Sequence, residues 1–498
     1  MTHELSCLAA DLGAESGRVM LGRFDGERLR TEEVHRFANQ PVFLPDGLHW
    51  DVLNLFTQVK EGVSQAVRSR GSDLISLGVD TWAEDFGLLD ATGALVLQPY
   101  HYRDARTESM LEEAFRRLPR REVYELTGIQ VLSVNTLFQL LAMVVSRSPV
   151  LDIAHTFLTI PDLLNYWLTG VVGCEFTNAT TTQCYDPRRG EWSWPLLEAM
   201  DIPAHMFPSI IPPGTVLGLL SPWVARETGA VGLRLVAPAC HDTGSAVVGV
   251  PAVGKDFAFI SAGTWSVLGT ELSSPLINEQ SFSGNFTNEG GVGDTFRFER
   301  DIMGLWLVQE CRRAWAAQGR DYDYSELTRL AAAAAPLCSV VDPDCDDFLR
   351  PGDMVERIRG YCRRTGQSVP ESEGAVVRCV LESLALKSRW VLERLEAVLG
   401  RRFPAVHIVG GGARNQLLCQ FTADATGRPV LAGPAEATAV GNLLVQLIGL
   451  GELGSLEEAR HVARRSFDLL TYEPGSPAAW DEAYTVLERL IEEQRENG

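Results

Sequence analysis

The chain has 498 residues, of which 45% are hydrophobic and 22% are charged, and its formal net charge at pH 7 is −21. This length predicts two or more domains, and the lack of a basic stripe argues against a nucleic-acid-binding protein. No apolar run is long enough for a membrane span, and no signal-like segment opens the sequence. The ten cysteines are scattered without a CxxC pair. We therefore expect a cytoplasmic, membrane-free protein with reduced thiols and no zinc site.

The first part of the chain predicts a strand-rich domain with helices inserted into it. The segments "LSCLAADLG", "RVMLGRF" and "LISLGVDTW" have the pattern of strands, and "FGLLDATGALV" has that of a hairpin with Asp90 at its tip. Helical periodicity follows in "LFTQVKEGVSQAVRSR", "MLEEAFRRL" and "NTLFQLLAMVVSR". The segment "FLTIPDLLNYWLTG" begins as a strand and is expected to become helical at Pro161.

The second part of the chain repeats this opening layout. "DFAFISAGTWSVLGTEL" reads as strand, turn and strand, and its loop 261–266 aligns with the loop 11–16 near the start. The shared layout predicts two related domains, which we place at residues 1–245 and 246–498. A long helix, the strand "AVHIVGGG", the helix "NQLLCQFTADATG" and an amphipathic helical tail complete the pattern.

Two glycine loops are candidate phosphate-binding sites. In "DLGAESGR" a carboxylate, Asp11, ends a strand and is followed by glycines whose backbone N–H groups can approach an anion. In that arrangement Asp11 would bind Mg²⁺. The loop "SAGTWS" offers the same device with a hydroxyl at Thr264. For both loops the alternative is an ordinary hairpin turn.

Two further motifs fit a nucleotide and a polyhydroxylated ligand. "VGGGARN" lies between a strand and a helix, where nucleotides bind in α/β proteins, although a tight connection would have the same pattern. "VDTWAEDF" groups Asp80, Glu84 and Asp85 with Trp82 at a strand end. Acids bind hydroxyl groups and an aromatic ring packs on C–H faces. The alternative is a set of solvated acids in a turn.

The heptapeptide "CHDTGSA" leaves two roles open for Asp242. It follows an apolar strand and precedes an apolar stretch, so Asp242 fits a helix N-cap. It also fits a carboxylate at a strand-to-loop turn that takes a proton from a substrate. The two roles can coexist.

Together these motifs resemble those of the FGGY carbohydrate kinases, which have the actin-like ATPase fold. The similarity runs nearly end to end, and its more specific motifs are "TNATTTQ", "CHDTGSAV", "FTNEGG" and "DIMGLW". Within the family the chain is most similar to the kinases of L-rhamnulose. The resemblance implies an α/β fold with two actin-like ATPase (ribonuclease H-like) domains facing a central cleft. It also implies that a sugar binds mainly to the first domain and ATP mainly to the second.

The resemblance assigns roles to individual residues. It implies that Asp242 is the catalytic base and that Asp11 binds Mg²⁺. The implied sugar-binding residues are Ala83, Glu84, Asp85, His241, Thr243 and Asp301. The implied ATP-binding residues are Gly13, Ala14, Glu15, Ser16, Gly17, Thr264, Gln309, Gly411, Gly412 and Asn415.

Three positions depart from the pattern of the L-rhamnulose kinases. Ala83 and Glu84 stand where a glycine and a valine are typical, and Asp301 stands where an asparagine is typical. A buried carboxylate without a partner is costly, so we expect the ligand or a neighbouring residue to donate hydrogen bonds to Glu84 and Asp301. A ligand with one more hydroxyl group than L-rhamnulose would meet this need.

The expected reaction is transfer of the γ-phosphate of ATP to a hydroxyl group of a ketose, with Mg²⁺ as cofactor. L-Rhamnulose, giving L-rhamnulose 1-phosphate, is the first candidate, and L-fuculose, ribulose, xylulose or a tetritol is the alternative. The expected partners are the small-molecule sugar and ATP, without nucleic acid, and the protein is expected to be a monomer or homodimer. The alternatives outside catalysis are a sugar sensor without kinase activity and an actin-like ATP-dependent assembly protein.

Overall fold

The computed structural model describes residues 4–70 and 73–497. The described chain divides into two compact units. Unit 1 takes the residues up to Ala252 together with Glu271–Phe298 and Ala437–Phe467. Unit 2 takes Val253–Thr270, Glu299–Glu436 and the residues from Asp468 onward. Each unit is made of three separate segments of the chain. The boundary between residues 245 and 246 divides the sequence into two halves and stays a prediction.

The described residues form strands throughout both units. In chain order these strands are β1 (Leu5–Leu12), β2 (Ser16–Phe24), β3 (Leu29–Ala38), β4 (Pro41–Leu44), β5 (Gly47–Trp50), β6 (Leu74–Thr81), β7 (Phe86–Leu89), β8 (Thr156–Thr159), β9 (Cys174–Glu175), β10 (Tyr185–Asp186), β11 (Glu191–Trp192), β12 (Ile210–Ile211), β13 (Thr215–Leu219), β14 (Arg234–Ala237), β15 (Ala258–Ala262), β16 (Trp265–Leu272), β17 (Thr287–Gly290), β18 (Phe296–Met303), β19 (Val406–Val409), β20 (Val430–Ala432) and β21 (Leu470–Tyr472).

The helices range from single turns to one of 27 residues. In chain order they are α1 (Val52–Arg70), α2 (Met110–Arg117), α3 (Arg120–Thr127), α4 (Thr136–Val145), α5 (Val150–Ile153), α6 (Ile160–Thr169), α7 (Phe176–Thr181), α8 (Trp194–Ala199), α9 (Pro222–Thr228), α10 (Asp242–Val248), α11 (Glu279–Ser283), α12 (Trp306–Ala317), α13 (Tyr324–Ala333), α14 (Met354–Arg364), α15 (Glu373–Leu399), α16 (Gln416–Thr426), α17 (Ala437–Gly449), α18 (Leu456–Ser466) and α19 (Ala478–Asn497).

Unit 1 is built on a mixed sheet in the order β13-β14-β6-β1-β2-β3. Strands β1, β2 and β3 form an antiparallel meander, whereas β6 runs parallel to β1 and β14 runs parallel to β6. Their central residues are almost completely buried, as the near-continuous apolar runs of the sequence predict for parallel strands. The parallel pairing brings the carboxyl ends of β1 and β6 to the same edge of the sheet.

Helices α10 and α17 pack against this sheet through small and aliphatic side chains. Ala439, Val440 and Leu443 of α17 join a buried cluster with Cys7, Ala9 and Met20 from the first two strands; the cluster also contains Val248 of α10. Gly441 lies so close to α10 that a Cβ on it would meet the carbonyl oxygen of Ser245. This close packing holds the N-terminus of α10 at the carboxyl edge of the sheet.

A second apolar cluster in unit 1 joins the segments between β7 and β12. It contains Phe86 of β7, Phe138 of α4, Phe157 of β8 and Trp192 of β11, all buried. Strands β7 and β8 pair in antiparallel fashion. This cluster supports the loop between β6 and β7, which carries part of the candidate site.

The sheet of unit 2 contains the order β18-β16-β15-β19-β20-β21. Strands β15 and β16 are antiparallel, β19 runs parallel to β15, and β20 runs parallel to β19. This repeats the arrangement of β2, β1, β6 and β14 in unit 1. The repeated strand–turn–strand layout expected from the sequence is therefore present in both units.

Most of the predicted secondary structure is confirmed. The change from strand to helix expected at Pro161 occurs at Ile160, where α6 begins. The hairpin predicted after β7 is only partly correct, because β7 pairs with β8 and the returning segment makes a single bridge between Leu89 and Leu95. Among the described helices, none combines the length and apolar character needed to cross a membrane.

Candidate active site

Three aspartates lie close to one another in unit 1. Asp11 near the end of β1 is the parallel partner of Asp80 in β6. Asp80 is fully buried, and its Oδ2 accepts a hydrogen bond from Asn442 of α17. Burial, with the nearby charges of Asp11 and Asp242, raises the pKa of Asp80 well above its usual value. No described residue donates a hydrogen bond to its Oδ1. The three carboxyl groups therefore disfavour one another's ionised form, and a bound cation would relieve this repulsion.

Arg18 supplies part of the compensating positive charge. It lies opposite Asp11 in the antiparallel pairing of β1 and β2. Its Nε and Nη2 atoms donate to Asp11 Oδ2 at 3.0 and 2.7 Å. Arg18 carries no distinguishing signal in the sequence, because an arginine just after a turn is common.

The first glycine loop, 13–17, is a tight turn between β1 and β2. The N–H of Gly13 donates to the carbonyl of Ser16 at 3.0 Å, and the side-chain amide of Asn39 donates to the carbonyl of Gly13 at 2.9 Å. A Cβ on Gly17 would collide with the ring of Phe37. The hairpin is thus a well-packed structure, and it carries Ala14, Glu15 and Ser16 at the same edge as Asp11.

The donor set of this edge fits a magnesium ion held mainly by phosphate groups. Mg²⁺ prefers oxygen ligands and usually takes one or two carboxylates together with substrate phosphates and water. Asp11 and the unsatisfied Oδ1 of Asp80 are donors of this type. The described His, Cys, Asp and Glu residues form no group of three or more that could hold a metal ion. A preassembled protein cage is therefore absent from the described chain.

Asp242 is the first residue of α10, and the N-cap position belongs to His241. The interpretation of Asp242 as the N-cap itself is therefore wrong by one residue. The reason is that the backbone of Asp242 is already helical while that of His241 remains extended. The Asp242 carboxylate still contacts the first turn, since its Oδ1 accepts the N–H of Thr243 at 2.5 Å.

The two oxygens of Asp242 differ in their surroundings. All hydrogen bonds that described residues donate to this carboxylate go to Oδ1, from the N–H and the hydroxyl of Thr243, and His241 Nε2 lies 3.4 Å from the same atom. Burial raises the pKa of Asp242; His241 opposes this shift and Asp11 adds to it. The side chain nevertheless keeps 29% of its surface exposed. Oδ2 is therefore available to a substrate hydroxyl.

The "VDTWAEDF" segment forms a turn between β6 and β7 that is tied to α4. Glu84 has a φ of 74°, a conformation that costs a non-glycine residue about 1–3 kcal/mol. Its carbonyl accepts hydrogen bonds from Thr136 Oγ1 at 2.6 Å and Gln139 Nε2 at 3.2 Å, which hold this conformation. Its carboxylate accepts the N–H of Thr136 at 3.3 Å. The N-terminus of a neighbouring helix thus stabilises the charge of Glu84. This agrees with the expectation that either the ligand or a neighbouring residue donates a hydrogen bond to it.

Asp85 is buried and hydrogen-bonded to aromatic side chains. Its Oδ2 accepts the indole N–H groups of Trp50 and Trp82 at 2.5 and 2.8 Å, and Oδ1 accepts Gln139 Nε2 at 3.0 Å. Burial raises its pKa to about 6, against these hydrogen bonds. Asp85 therefore fixes the two tryptophans next to the half-buried Ala83 and Glu84.

The second glycine loop lies in unit 2 between β15 and β16. The carbonyl of Thr264 accepts N–H groups from Gly304 and Trp306, both at 3.1 Å. Gln309 of α12 donates to Thr264 Oγ1 at 3.4 Å. The structure therefore brings together Thr264 and Gln309, which the resemblance assigns to ATP.

The glycines after β19 are adjacent to this loop. Gly412 lies so close to β15 that a Cβ on it would be 2.4 Å from that of Ala262, whereas a Cβ on Gly411 would meet open space. Asn415 caps α16, because its Oδ1 accepts the N–H of Leu418 at 3.1 Å. Packing explains the glycine at 412, but it does not explain the one at 411.

Asp301 lies in the part of β18 that belongs to unit 2, and it is half-buried. The preceding residue, Arg300, pairs with Asp344 at 3.4 Å. The other residues that the resemblance assigns to the sugar are in unit 1.

Two charged residues that the sequence did not predict for the site contact His241. Glu289 Oε2 lies 3.1 Å from His241 Nδ1, and Arg297 Nη2 lies 2.9 Å from the same nitrogen. Glu289 belongs to the motif "FTNEGG", which gave a usable signal. Arg297 lies in a strand with alternating polar and apolar residues, and this pattern fits a solvent-exposed arginine as well as a buried one.

Comparison with known proteins shows two family matches. The model described as "FGGY family of carbohydrate kinases, N-terminal domain" matches residues 6–249, and the corresponding C-terminal model matches residues 258–450. Together they cover most of the chain.

Relatives and solved structures agree with these matches. A rhamnulokinase of Bacteroides thetaiotaomicron is 44% identical over 97% of this chain and 99% of its own length. A rhamnulokinase of Oceanobacillus iheyensis is 40% identical over 93% of this chain and 97% of its own length. The crystal structure of gluconate kinase from Lactobacillus acidophilus matches 99% of this chain and 98% of its own with a TM-score of 0.80 at 16% identity. Plasmodium falciparum glycerol kinase with ADP matches 99% of this chain and 98% of its own with a TM-score of 0.75 at 16% identity.

The structural similarities confirm the predicted α/β fold of the sugar kinases. At 16% identity they are evidence for the fold and not for the substrate. The family matches and the relatives confirm the resemblance found in the sequence, and the use of ATP follows from membership. The chain belongs to the FGGY family of carbohydrate kinases.

Proposed function

We propose that this protein transfers the γ-phosphate of ATP to the 1-hydroxyl group of L-rhamnulose, giving L-rhamnulose 1-phosphate and ADP. Two relatives that are 40% and 44% identical over nearly the whole chain are rhamnulokinases. Identity at this level and coverage supports the same substrate. We also propose that the sugar residues lie mainly in the half of the sequence before residue 246.

The environment of Asp242 is the observation that carries the chemical part of this proposal. Its Oδ1 is held by Thr243, and its Oδ2 receives no hydrogen bond from a described residue. Burial raises its pKa, which brings a carboxylate closer to the range of a useful general base. Oδ2 accepts the proton of the sugar hydroxyl while the hydroxyl oxygen bonds to the γ-phosphorus. The bond between the γ-phosphorus and the oxygen that bridges it to the β-phosphate breaks in the same step.

The nucleotide side of the reaction depends on the two glycine loops. We propose that, in unit 1, backbone N–H groups of the 13–17 loop bind phosphate. In unit 2 we propose the same role for the hydroxyl of Thr264, which Gln309 orients. Gly411 leaves room for a flat base, with Gly412 packed beneath it and Asn415 capping the next helix. A bound Mg²⁺ would neutralise phosphate charge during the transfer. Asp11 and Asp80 would hold it, with Arg18 orienting Asp11.

On the sugar side, Glu84 no longer argues for a ligand with an extra hydroxyl group. Glu84 receives its hydrogen bond from the N–H of Thr136, so its charge needs no ligand donor. We propose that Ala83, His241, Thr243 and Asp301 contact the sugar. Asp85 acts on the sugar through Trp82, whose indole it holds.

A substrate panel tests this proposal. ADP release would be measured with L-rhamnulose, L-fuculose, D-xylulose, D-ribulose, D-fructose and glycerol at saturating ATP and Mg²⁺. We expect the highest kcat/KM for L-rhamnulose, and phosphorus NMR of the product should show a phosphate ester at C1. A higher kcat/KM for another ketose or a polyol would overturn the substrate while leaving the family intact. Absence of ADP release with every sugar would favour a sugar sensor.

A further inference from the structure

Two buried charged side chains contact the ring of His241 in unit 1. Arg297 is fully buried and Glu289 nearly so. Arg297 Nη2 donates to Glu289 Oε2 at 2.8 Å and lies 2.9 Å from His241 Nδ1. Its Nε donates to the carbonyl of Gly290 at 3.0 Å, which fixes the plane of the guanidinium. The arginine is thus held by Glu289 and by the carbonyl of Gly290, and its Nη2 points at one ring nitrogen.

These contacts favour one position for the ring proton of His241. A guanidinium has only donors, so the Nδ1 atom that faces it must accept. The ring proton then belongs to Nε2, which lies 3.4 Å from Asp242 Oδ1. If Glu289 faced Nδ1 alone, at its distance of 3.1 Å, the favoured tautomer would carry the proton on Nδ1 instead. A lone pair on Nε2 would then face a carboxylate oxygen.

We propose that Arg297 and Glu289 are positioning residues for catalysis. Arg297 sets the Nε2–H tautomer of His241, and Glu289 balances the buried charge of Arg297. Thr243 holds Oδ1 of Asp242, and the Nε2–H of His241 faces the same oxygen at 3.4 Å, which leaves Oδ2 as the oxygen that takes the substrate proton. This inference rests on the proposed role of Asp242 as the base.

Three variants of the full-length enzyme separate this role from that of an ordinary buried ion pair. Arg297→Met leaves Glu289 beside Nδ1 and should lower kcat by about tenfold or more, since correct acid–base geometry is typically worth at least that factor. Adding Glu289→Gln supplies an amide N–H for Nδ1 and should restore most of kcat. Adding Glu289→Leu instead removes the same unpaired charge, with a side chain of similar size, but supplies no donor, so kcat should stay low.

The comparison of the two double variants is the critical one. Each is free of an unpaired buried charge at this place, so a purely structural role predicts equal kcat in both. Equal values would overturn the proposal. Melting temperatures measured in parallel show whether each variant is folded.

Nitrogen-15 NMR of the unaltered enzyme, labelled at histidine, tests the tautomer without any variant of the pair. His241 is assigned by the signal lost in His241→Gln. We expect the Nδ1 shift of an unprotonated ring nitrogen, and a protonated Nδ1 would overturn the inference. The kcat of Asp242→Asn tests the proposed function separately: a near-normal value would exclude Asp242 as the base but leave the NMR result standing.

Discussion

The carboxylate of Glu84 accepts a hydrogen bond from the backbone N–H of Thr136, the first residue of α4, at 3.3 Å. The first N–H groups of a helix have no partner within the helix, and a negative charge is stabilised there. The local fold therefore stabilises the acid that made the sequence look unusual beside the L-rhamnulose kinases. The specificity of the enzyme then has to be sought elsewhere in the site.

Glu84→Gln should affect stability rather than sugar preference. Loss of the charge at the N-terminus of α4 should lower the free energy of unfolding by about 0.3–1 kcal/mol. The ranking of sugars by kcat/KM should stay unchanged. Denaturant unfolding and the substrate panel check both parts, and a reordered ranking would show that Glu84 contacts the substrate.

Asp242→Asn should abolish most of the turnover. An amide cannot take the hydroxyl proton, and a positioned base typically contributes about 10²–10⁴-fold to the rate. The affinity for ADP should change little, since the nucleotide residues proposed above do not include Asp242. Coupled kinetics and calorimetry of ADP binding measure the two effects, and turnover close to that of the unaltered enzyme would contradict the assignment.

The activity should fall on the acid side at a higher pH than an ordinary aspartate would give. Burial raises the pKa of Asp242 above the usual 3.8, with Asp11 acting in the same direction and His241 against it. The deprotonated form accepts the proton, so kcat/KM for the sugar should rise with pH through this elevated pKa and be lost below it.

A quenched-flow assay at saturating ATP would measure this profile without coupling enzymes. Circular dichroism at each pH separates protonation of the base from acid unfolding. An acidic limb at or below the ordinary value would mean that the hydrogen bonds to Oδ1 outweigh burial.

The strands and helices that carry the site could be predicted from local patterns. The apolar runs of β1 and β6 and the turn after each strand are visible in the sequence, as is the start of α10. The N-cap residue could not be predicted exactly. His241, Asp242 and Thr243 are neighbouring polar residues, and the sequence does not show which of them has the first helical backbone angles.

The arrangement of charges could not be predicted in the same way. The contact between Asp11 and Asp80 depends on the pairing of β1 with β6, which lie far apart in the chain. Arg297 is fully buried only because Glu289 and the carbonyl of Gly290 compensate it, and an alternating strand pattern places such an arginine on the solvent side by default. A charged side chain can be buried only where partners compensate its charge, and the tertiary fold supplies those partners.

Two neighbouring glycines in the 410–412 segment should respond differently to substitution. Gly411→Leu extends into open space and should raise the KM for ATP without lowering the melting temperature. Gly412→Ala would place its Cβ 2.4 Å from that of Ala262, which should destabilise the fold by about 1–3 kcal/mol. ATP kinetics and thermal unfolding of both variants provide the check. An unchanged KM for Gly411→Leu would remove this glycine from the nucleotide site.

Lys387 should be essential for the stability of unit 2. Its Nζ lies 2.6 Å from Asp342 Oδ1 and 3.0 Å from Asp344 Oδ2, and the lysine side chain is 2% exposed. Burial acts to raise the pKa of Asp344, but Lys387 and Arg300 outweigh it and hold the pKa below its usual value. Asp344 also accepts the N–H of Met303 at 3.0 Å, just before the glycine that contacts the Thr264 loop.

Lys387→Met keeps the side-chain volume but leaves the buried Asp342 and the partly exposed Asp344 without this cation. Breaking a buried ion pair on one side typically costs about 3–5 kcal/mol, so the free energy of unfolding should fall by about that amount. Adding Asp342→Asn should recover part of the loss, because Asp344 keeps its contact with Arg300 and the charge of Asp342 is then removed. Lys255→Met alters an exposed lysine and should leave unfolding unchanged. Equal unfolding curves for Lys387→Met and Lys255→Met would show that Arg300 alone stabilises the acids, and that Lys387 does not hold the segment leading to the Thr264 loop.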